Sequence, residues 1–392
     1  MPTAPARFID IHIVQSVPFA NLNRDDTNSV KTVQYGNTLR TRVSSQSWKR
    51  AIRTVFQDHS GDSALRTRRI AERVTHLLIE REWPEQLAAR AGGHLAAACS
   101  KFELAKDPDN PKQTLPNKVL TNAMVYVPEA AVADLADLAT RHRDQLQAAK
   151  DITKPTDKSI LPKPDVDTIL RSRNGVINLF GRMLAEVDDA GVDGAVQVAH
   201  AMTTHATDVE LDYFSAVDDI TAAWADSSGS GHMGHAEYSA GTFYRYATLD
   251  LRDLTTNTGG TPSELRDLAH GFLQAFITSL PQAKKNSTAA HTIPDLVHVS
   301  VRSDRPLSYA AAFEQPVTAA NQGGYGAPTR EALADYARAA NTMLGTRHIV
   351  HAGWTSLESK TLQGLGTRLD SFDELLTTAL DTALTQPDGP RA

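Results

Sequence analysis

Residues that could carry catalysis occur in this sequence only as pairs and short runs. Two histidine pairs could ligate a metal ion, His200 with His205 and His232 with His235. The first pair is five residues apart, so on a helix the two rings would not share a face. We therefore interpret all four as surface or core histidines.

The acidic pairs and the serines are no more specific. Adjacent acids could bind a hard cation, but they are more typical of a solvated turn; they lie at Asp188-Asp189 and Asp218-Asp219. Ser44, Ser45 and Ser47 have no base close in sequence, and helix capping explains the first two. The chain contains no G-x-x-x-x-G-K-[ST] phosphate loop. We expect no enzyme activity, no cofactor and no metal site.

Composition favours an ordinary globular protein. The 392 residues are 41% hydrophobic and 22% charged, and no stretch approaches the roughly 20 apolar residues that span a bilayer. Residues 1–7 lack the charged and apolar regions of a secretory signal. Cys99 is the only cysteine, which excludes an internal disulfide and a Cys-based zinc site. We expect a cytoplasmic protein with no membrane contact.

Charge is distributed unevenly along the chain, although the net charge of −6 by itself disfavours a nucleic-acid partner. Residues 27–57 contain six basic side chains and no acid: Lys31, Arg40, Arg42, Lys49, Arg50 and Arg53. Residues 184–244 contain eleven acids and no Lys or Arg. One region can therefore hold a phosphate chain while the protein stays acidic.

The segment Arg40–Arg53 is the most informative. Its basic residues lead into a serine-rich helix start, where free backbone N–H groups and the helix dipole favour an anion. Gln46, Lys49 and Arg53 line one face of that helix, opposite an apolar stripe. An ordinary amphipathic surface helix would look similar, but the absence of any nearby acid favours a phosphate-binding surface.

The order of predicted elements indicates an α+β fold. Phe8–Val14 alternates as a strand, and a helix follows from Ser44-Ser45. We predict further strands at 175–183, 242–251 and 296–302. A helix at 330–344 follows the last of these strands and precedes a weakly structured C-terminus. Thr261-Pro262-Ser263-Glu264 begins a helix with a capping box. Without its insertions the order is βαββαβ, the RRM or ferredoxin-like pattern, whose sheet commonly binds single-stranded nucleic acid.

Several longer motifs occur in the sequence, at residues 21–26 (NLNRDD), 42–50 (RVSSQSWKR), 180–183 (FGRM), 199–205 (AHAMTTH), 213–219 (YFSAVDD), 239–247 (SAGTFYRYA) and 283–290 (AKKNSTAA). In kind and order they resemble the CasC family, the CRISPR RNA-binding backbone subunit of the type I-E Cascade complex. The resemblance runs from about residue 8 to 315.

The resemblance implies a hand-like α+β protein with an RRM-like palm, helical fingers and a thumb hairpin. Mapped onto this chain, the parts are 1–59 for the first part of the palm, 60–175 for the helical fingers insertion, 176–190 for a palm strand, 191–241 for the thumb insertion, 242–375 for the second part of the palm with C-terminal helices, and 376–392 for a flexible tail.

The resemblance also implies which residues meet RNA. From the residues alone, Met183, Tyr213 and Phe214 would be core residues; in the family, Met183 packs against bases, and the Tyr213-Phe214 tip helps to flip a nucleotide out. The RNA backbone would be held by Asn23, Arg24, Lys31, Arg42, Ser44, Gln46, Lys49 and Arg53.

The implied function is that of a non-catalytic subunit in antiviral defence. Its partners would be CRISPR RNA, further copies of itself, other Cascade subunits and, through the guide RNA, target DNA. An alternative is a ferredoxin-like endoribonuclease that processes CRISPR transcripts, with His12 or His200 as the base. A second alternative is a homo-oligomeric scaffold that binds no nucleic acid.

Overall fold

The fold was obtained as a computed structural model, which describes residues 6–110, 112–184, 187–217 and 230–384. The chain divides into two units. The sheet unit comprises residues 1–56, 196–252 and 260–392. The helical unit comprises residues 57–195 and 253–259.

The strands, in chain order, are β1 (Phe8–Ala20), β2 (Thr32–Tyr35), β3 (Thr38–Val43), β4 (Ala64–Thr67), β5 (Phe102–Lys106), β6 (Thr114–Thr121), β7 (Val125–Pro128), β8 (Val196–Val198), β9 (Ala201–Thr203), β10 (Glu210–Val217), β11 (Ser230–Asp250), β12 (Leu296–Arg302), β13 (Ile349–Ser356) and β14 (Thr367–Arg368).

The α-helices are α1 (Ser45–Ser60), α2 (Ile70–Glu80), α3 (Glu85–Cys99), α4 (Ala130–Arg141), α5 (Arg143–Ala148), α6 (Lys163–Leu170), α7 (Gly175–Phe180), α8 (Leu251–Thr258), α9 (Pro262–Thr278), α10 (Lys285–Thr288), α11 (Gly326–Leu344) and α12 (Phe372–Leu384).

One large sheet organises the sheet unit. Within the described residues its strand order is β14-β13-β12-β1-β11-β9-β3-β2, and β8 and β10 also pair with β11. The β1–β11 and β1–β12 pairs are antiparallel. This large sheet, combined with many helices, agrees with the predicted α+β class.

Alternation along β1 gives the sheet two differently built faces, because successive side chains of a strand point to opposite sides. Ile9, Ile11 and Ile13 lie opposite Val301, Val299 and Val297 of β12 and form one apolar face. Helices α1 and α9 belong to this face, with their apolar side chains fully buried: Trp48, Ile52, Phe56, Phe272 and Phe276.

A buried arginine connects this face of the sheet to both helices. Arg245 of β11 lies opposite Ile13, and its guanidinium carbon is 3.9 Å from the Trp48 ring centroid and 4.8 Å from that of Phe276. Its Nη1 donates to Gln15 Oε1 at 2.6 Å, and its Nη2 donates to the Phe276 carbonyl. Burial lowers the pKa of Arg245 to about 9, so the group remains cationic near neutral pH.

The second face of the sheet is covered by the protein's own chain. His12 of β1 stacks on Tyr309 with ring centroids 4.2 Å apart and the planes 7° from parallel. Helix α11 packs on the same face through an apolar cluster of Val14, Tyr244, Leu296, Phe313, Leu333, Ala334 and Ala337. Since neither face is open, RNA binding on the sheet surface, as commonly seen in the RRM fold, does not apply to this sheet.

The helical unit has its own apolar core. Helices α2, α3, α4 and α6 contribute most of it, and two small antiparallel sheets of two strands each, β4–β7 and β5–β6, complete the unit. Residues 60–175 are therefore largely helical, as predicted, but the sequence did not reveal these two small sheets.

The strand predicted at 175–183 was wrong. Residues Gly175–Phe180 form α7 of the helical unit, because Asn174 caps the helix by accepting from the Ile177 N–H at 3.1 Å, and Gly181 ends it at φ +80°. A short apolar run does not distinguish a strand from a buried helix. The strands next to β11 in the large sheet are instead β8 and β9.

The C-terminus is also more ordered than predicted. Strand β13 pairs with β12, and α12 extends to Leu384, so residues 376–384 are not a flexible tail. The helix buries Leu375, Leu376, Ala379, Leu380 and Ala383. The remaining residues of the predicted tail, 385–392, lie outside the described residues.

Other predicted elements are confirmed. The strands predicted at Phe8–Val14 and 296–302 are present as β1 and β12, and that at 242–251 is the end of β11, which stops at Asp250. Helix α9 begins with the predicted capping box, in which Glu264 N donates to Thr261 Oγ1 and Thr261 N donates to Glu264 Oε2. Among the described helices, none has the length and apolar character needed to cross a bilayer.

We expect Arg245→Ala to lower the free energy of unfolding by about 3 kcal/mol or more, because it removes a desolvated cation–π contact and leaves a cavity. Chemical denaturation of the purified protein measures this. Arg50→Ala, at an exposed position of α1, should change the value by at most about 0.5 kcal/mol. Equal effects of the two substitutions would contradict the structural role of Arg245.

Candidate nucleic-acid interface

The segment Asn21–Lys31, here called the polar loop, is folded by one carboxylate. Asp25 Oδ1 accepts from the Thr27 hydroxyl at 2.8 Å and from the N–H groups of Thr27 and Ser29 at 2.9 Å each. The Thr27 hydroxyl, followed by these backbone donors, lowers the pKa of Asp25. Arg24 Nη1 donates to Asn28 Oδ1 at 3.0 Å, and Asn28 adopts φ +68°. The turn thus fixes the backbone of the loop while Arg24 remains exposed.

The polar loop brings four predicted RNA-binding residues together. The Asn23 carbonyl accepts from the Lys31 N–H at 3.3 Å, and the Lys31 carbonyl accepts from the Arg42 N–H at 2.8 Å. Asn23 Oδ1 accepts from the Ser44 N–H at 2.9 Å. Asn23, Lys31, Arg42 and Ser44 therefore meet where the loop, β3 and α1 join.

The start of α1 is already occupied by side-chain acceptors. Ser44 is buried and caps the helix by accepting from the Ser47 N–H at 3.3 Å. The Ser45 N–H donates to His200 Nδ1 at 3.1 Å. The backbone N–H groups of Ser44, Ser45 and Ser47 therefore all have acceptors. The expectation that the N–H groups of this turn are free to bind an anion is wrong for these three groups. The Ser44 hydroxyl does not lie at the surface.

The polar face of α1 is available to a partner. Gln46 is exposed, and Lys49 and Arg53 are half-exposed, whereas Trp48 and Ile52 on the other side of the helix are buried. The predicted amphipathic division of α1 is therefore confirmed. One of the six basic residues of this region has a structural role instead. Arg40 is fully buried and donates to Thr38 Oγ1 and to the carbonyls of Thr203 and Phe313.

The β10–β11 hairpin separates Tyr213 from Phe214. Tyr213 lies opposite His235 in the pairing, and Phe214 lies opposite Gly234, so the two rings are on opposite faces. Tyr213 is 76% exposed, on the same face as Leu211 and Met233. Phe214 packs over Gly234, where an added Cβ would be 2.6 Å from its ring.

The two rings therefore do not form one continuous surface. The contact of Tyr213 and Phe214 with a flipped nucleotide stays a prediction. Asp218 and Asp219 lie outside the described residues.

Met183 belongs to the helical unit, where it follows the end of α7 and is 88% exposed. It is therefore not a core residue of that unit. Among the residues predicted to contact RNA, Met183 alone is assigned to this unit.

His12, a candidate catalytic base, and His205, a candidate metal ligand, have structural partners. His12 is fully buried and bonds to the Tyr244 hydroxyl through Nδ1 at 2.8 Å, so it cannot reach an external 2′-OH. His205 is buried, accepts from the Thr242 N–H through Nε2 at 3.0 Å, and stacks on Tyr325 at 3.6 Å. Within the described ranges, no group of three His, Cys, Asp or Glu side chains could hold a metal ion.

Sequence reasoning missed the residues that anchor the polar loop. Glu237 of β11 accepts from the Val30 N–H through Oε2 at 2.9 Å, and its carbonyl accepts from Asn21 Nδ2 at 2.9 Å. His200 contacts the start of α1, as described above. No local signal could identify these residues, because each is more than 150 positions from its partners in the chain.

Comparisons with known proteins show which family and which solved structures this chain is similar to. The family model described as "CT1975-like protein" matches residues 9–378. A chain of a solved "CRISPR RNA-guided surveillance complex, pre-nicking" is 42% identical with a TM-score of 0.86, over 96% of this chain and 100% of that chain. A chain of another "CRISPR RNA-guided surveillance complex" is 37% identical with a TM-score of 0.78, over the same shares. No curated protein matches this sequence.

We expect Asn23→Ala to lower the free energy of unfolding by about 1 kcal/mol, because the Ser44 N–H at the start of α1 loses its acceptor. Urea denaturation measures the change. Asn286→Ala, at an exposed position of α10, is the control and should be nearly neutral. If Asn23→Ala is also neutral, Asn23 does not hold the polar loop to the helix.

Proposed function

Since this chain belongs to the CT1975-like, CasC-type family of Cascade backbone subunits, we propose that it binds CRISPR RNA. It acts as a non-catalytic subunit of a type I-E Cascade complex in antiviral defence. Several copies stack along the guide RNA and present its bases to target DNA. The observation that carries this proposal is the convergence of Asn23, Lys31 and Arg42 beside the polar face of α1.

The chemistry of this surface suits a ribose-phosphate chain. Lys31, Arg42, Lys49 and Arg53 supply cationic donors, and Gln46 supplies an amide, whereas residues 27–57 contain no acid. Contacts of this kind fix position without reading sequence. A guide RNA needs such a partner, because base pairing supplies its sequence specificity.

The strand order supports an RRM-like palm in the sheet unit. Strands β12-β1-β11-β9 are adjacent, and α1 and α9 occur in the chain where a βαββαβ unit requires its two helices. In this proposal the RNA runs along the side formed by the polar loop, β3 and α1, since both faces of the sheet are covered.

Stacking of copies is supported by the β10–β11 hairpin. Its exposed face carries Leu211, Tyr213 and Met233, which is an unusual amount of apolar surface for a hairpin in water. In this proposal the hairpin contacts the next copy and the RNA between them, and Tyr213 stacks on a base. A repeated head-to-tail contact whose rotation does not close on itself builds an open row of copies.

The non-catalytic assignment is supported by the histidines. The endoribonuclease alternative requires an accessible base, but His12 is fully buried, and His200 Nδ1 faces two hydrogen-bond donors. Incubation of the purified protein with a repeat-containing transcript tests this assignment. A cut product would overturn it.

We expect Lys49→Glu combined with Arg53→Glu to abolish retention of RNA, because two cationic donors on one helix face become repulsive to phosphate. Both side chains are half-exposed, so the fold should be preserved. The readouts are the 260/280 nm absorbance ratio and the lengths of co-purified RNA, of which discrete lengths indicate a guide.

The matched control is Arg338→Glu with Arg347→Glu. It makes the same change in net charge at exposed positions of the sheet unit that belong to neither the polar loop nor α1. The control protein should retain RNA normally. Normal RNA retention by the Lys49/Arg53 variant would contradict the proposed interface, and equal loss in both variants would indicate a non-specific charge effect.

A further inference from the structure

His200 lies between β8 and β9 and contacts two parts of the candidate interface. Its Nδ1 is 3.1 Å from the Ser45 backbone nitrogen and 3.1 Å from Arg42 Nη1. The ring thus touches both the first turn of α1 and the end of β3. Neither the amphipathic pattern of α1 nor the basic run of residues 27–57 includes it.

The two contacts determine the state of the imidazole. A backbone N–H and a guanidinium can only donate, so Nδ1 must accept and the ring proton must be on Nε2. Burial, and then the charges of Arg42 and Lys31, lower the pKa of His200. The ring therefore stays neutral near neutral pH and keeps the lone pair that both donors use.

Arg42 is held at its backbone as well as its side chain. Its N–H donates to the Lys31 carbonyl at 2.8 Å, and in the sheet it lies opposite Met202 of β9. His200 accepts one of the five N–H donors of the guanidinium, which leaves the others available. A half-exposed arginine would otherwise lose several rotamers when it binds a ligand.

We propose that His200 is a positioning residue of the RNA interface, which holds the Arg42 side chain in the arrangement that binds the ribose-phosphate chain. This inference rests on the proposed function. It assigns His200 an effect through Arg42, with no contact between His200 and RNA. Pre-organising one long side chain should strengthen binding by about threefold to tenfold.

Three substitutions in the full-length chain test this role. His200→Phe keeps a ring but has no acceptor. His200→Asn places a carbonyl oxygen near the position of Nδ1. Arg42→Gln removes the side chain through which His200 acts. The affinity of each purified protein for a single-stranded RNA oligonucleotide is measured by fluorescence anisotropy at fixed salt, because phosphate contacts depend on salt.

We expect His200→Phe to weaken binding by about threefold to tenfold and His200→Asn to restore most of the loss. In the Arg42→Gln background, His200→Phe should cause no further loss of RNA affinity, since the effects of substitutions at coupled residues do not add. A purely structural role of His200 would give additive losses. Additive losses, failure of rescue by asparagine, or unchanged affinity of His200→Phe would each overturn the proposal.

Stability is measured in parallel. If His200→Phe lowers the unfolding temperature, His200→Ala replaces it as the acceptor-free variant in the same comparison. Failure of the wild-type chain to bind RNA would overturn both this inference and the proposed function. Normal wild-type binding, abolished by the Lys49/Arg53 reversal but unaffected by His200→Phe, would overturn the role of His200 alone.

Discussion

The arrangement of the sheet unit depends on the buried guanidinium of Arg245. It lies between the rings of Trp48 and Phe276 and so connects β11 to α1 and α9 together. Burying a cation without hydrogen bonds would be costly, and the Gln15 side chain and the Phe276 carbonyl supply acceptors. Because Trp48 is on the apolar side of α1, this contact fixes the rotation of the helix. The rotation in turn places Gln46, Lys49 and Arg53 on the accessible side.

Covering both faces of the sheet moves the candidate interface to its periphery. Tyr309 and α11 close one face, and α1 and α9 close the other. Hydrogen bonds through the Asn23 side chain and the backbones of Asn23 and Lys31 then join the polar loop, β3 and the start of α1. The resulting surface presents side chains, whereas the helix N–H groups of Ser44, Ser45 and Ser47 already have acceptors. Recognition of a phosphate chain there relies on flexible cationic side chains, and pre-organisation of those side chains becomes important.

Elements with strong local signals could be predicted from the sequence. The alternation of Phe8–Val14 gave β1, and the Thr261–Glu264 capping box gave the start of α9. The apolar stripe of α1 correctly separated Trp48 from Lys49. The strand predicted at residues 175–183 was wrong, because a short apolar run fits a strand or a helix equally well. The Asn174 cap makes this segment begin as a helix. The apolar spacing of α12 is a local signal of the same kind, since its buried residues recur at helical intervals.

The sequence by itself determined the family, the α+β class and most of the cationic residues of the candidate interface, since these depend on motifs, local periodicity and charge. Only the tertiary structure decided which of those residues are accessible. Arg40 is buried, Ser44 is a cap, and Tyr213 and Phe214 are on opposite faces of their hairpin. It also placed His200 and Glu237 against the candidate interface, although both lie far along the chain from the residues they hold. Long-range pairing of this kind leaves no local pattern, because it arises from strand register and packing rather than from neighbours in sequence.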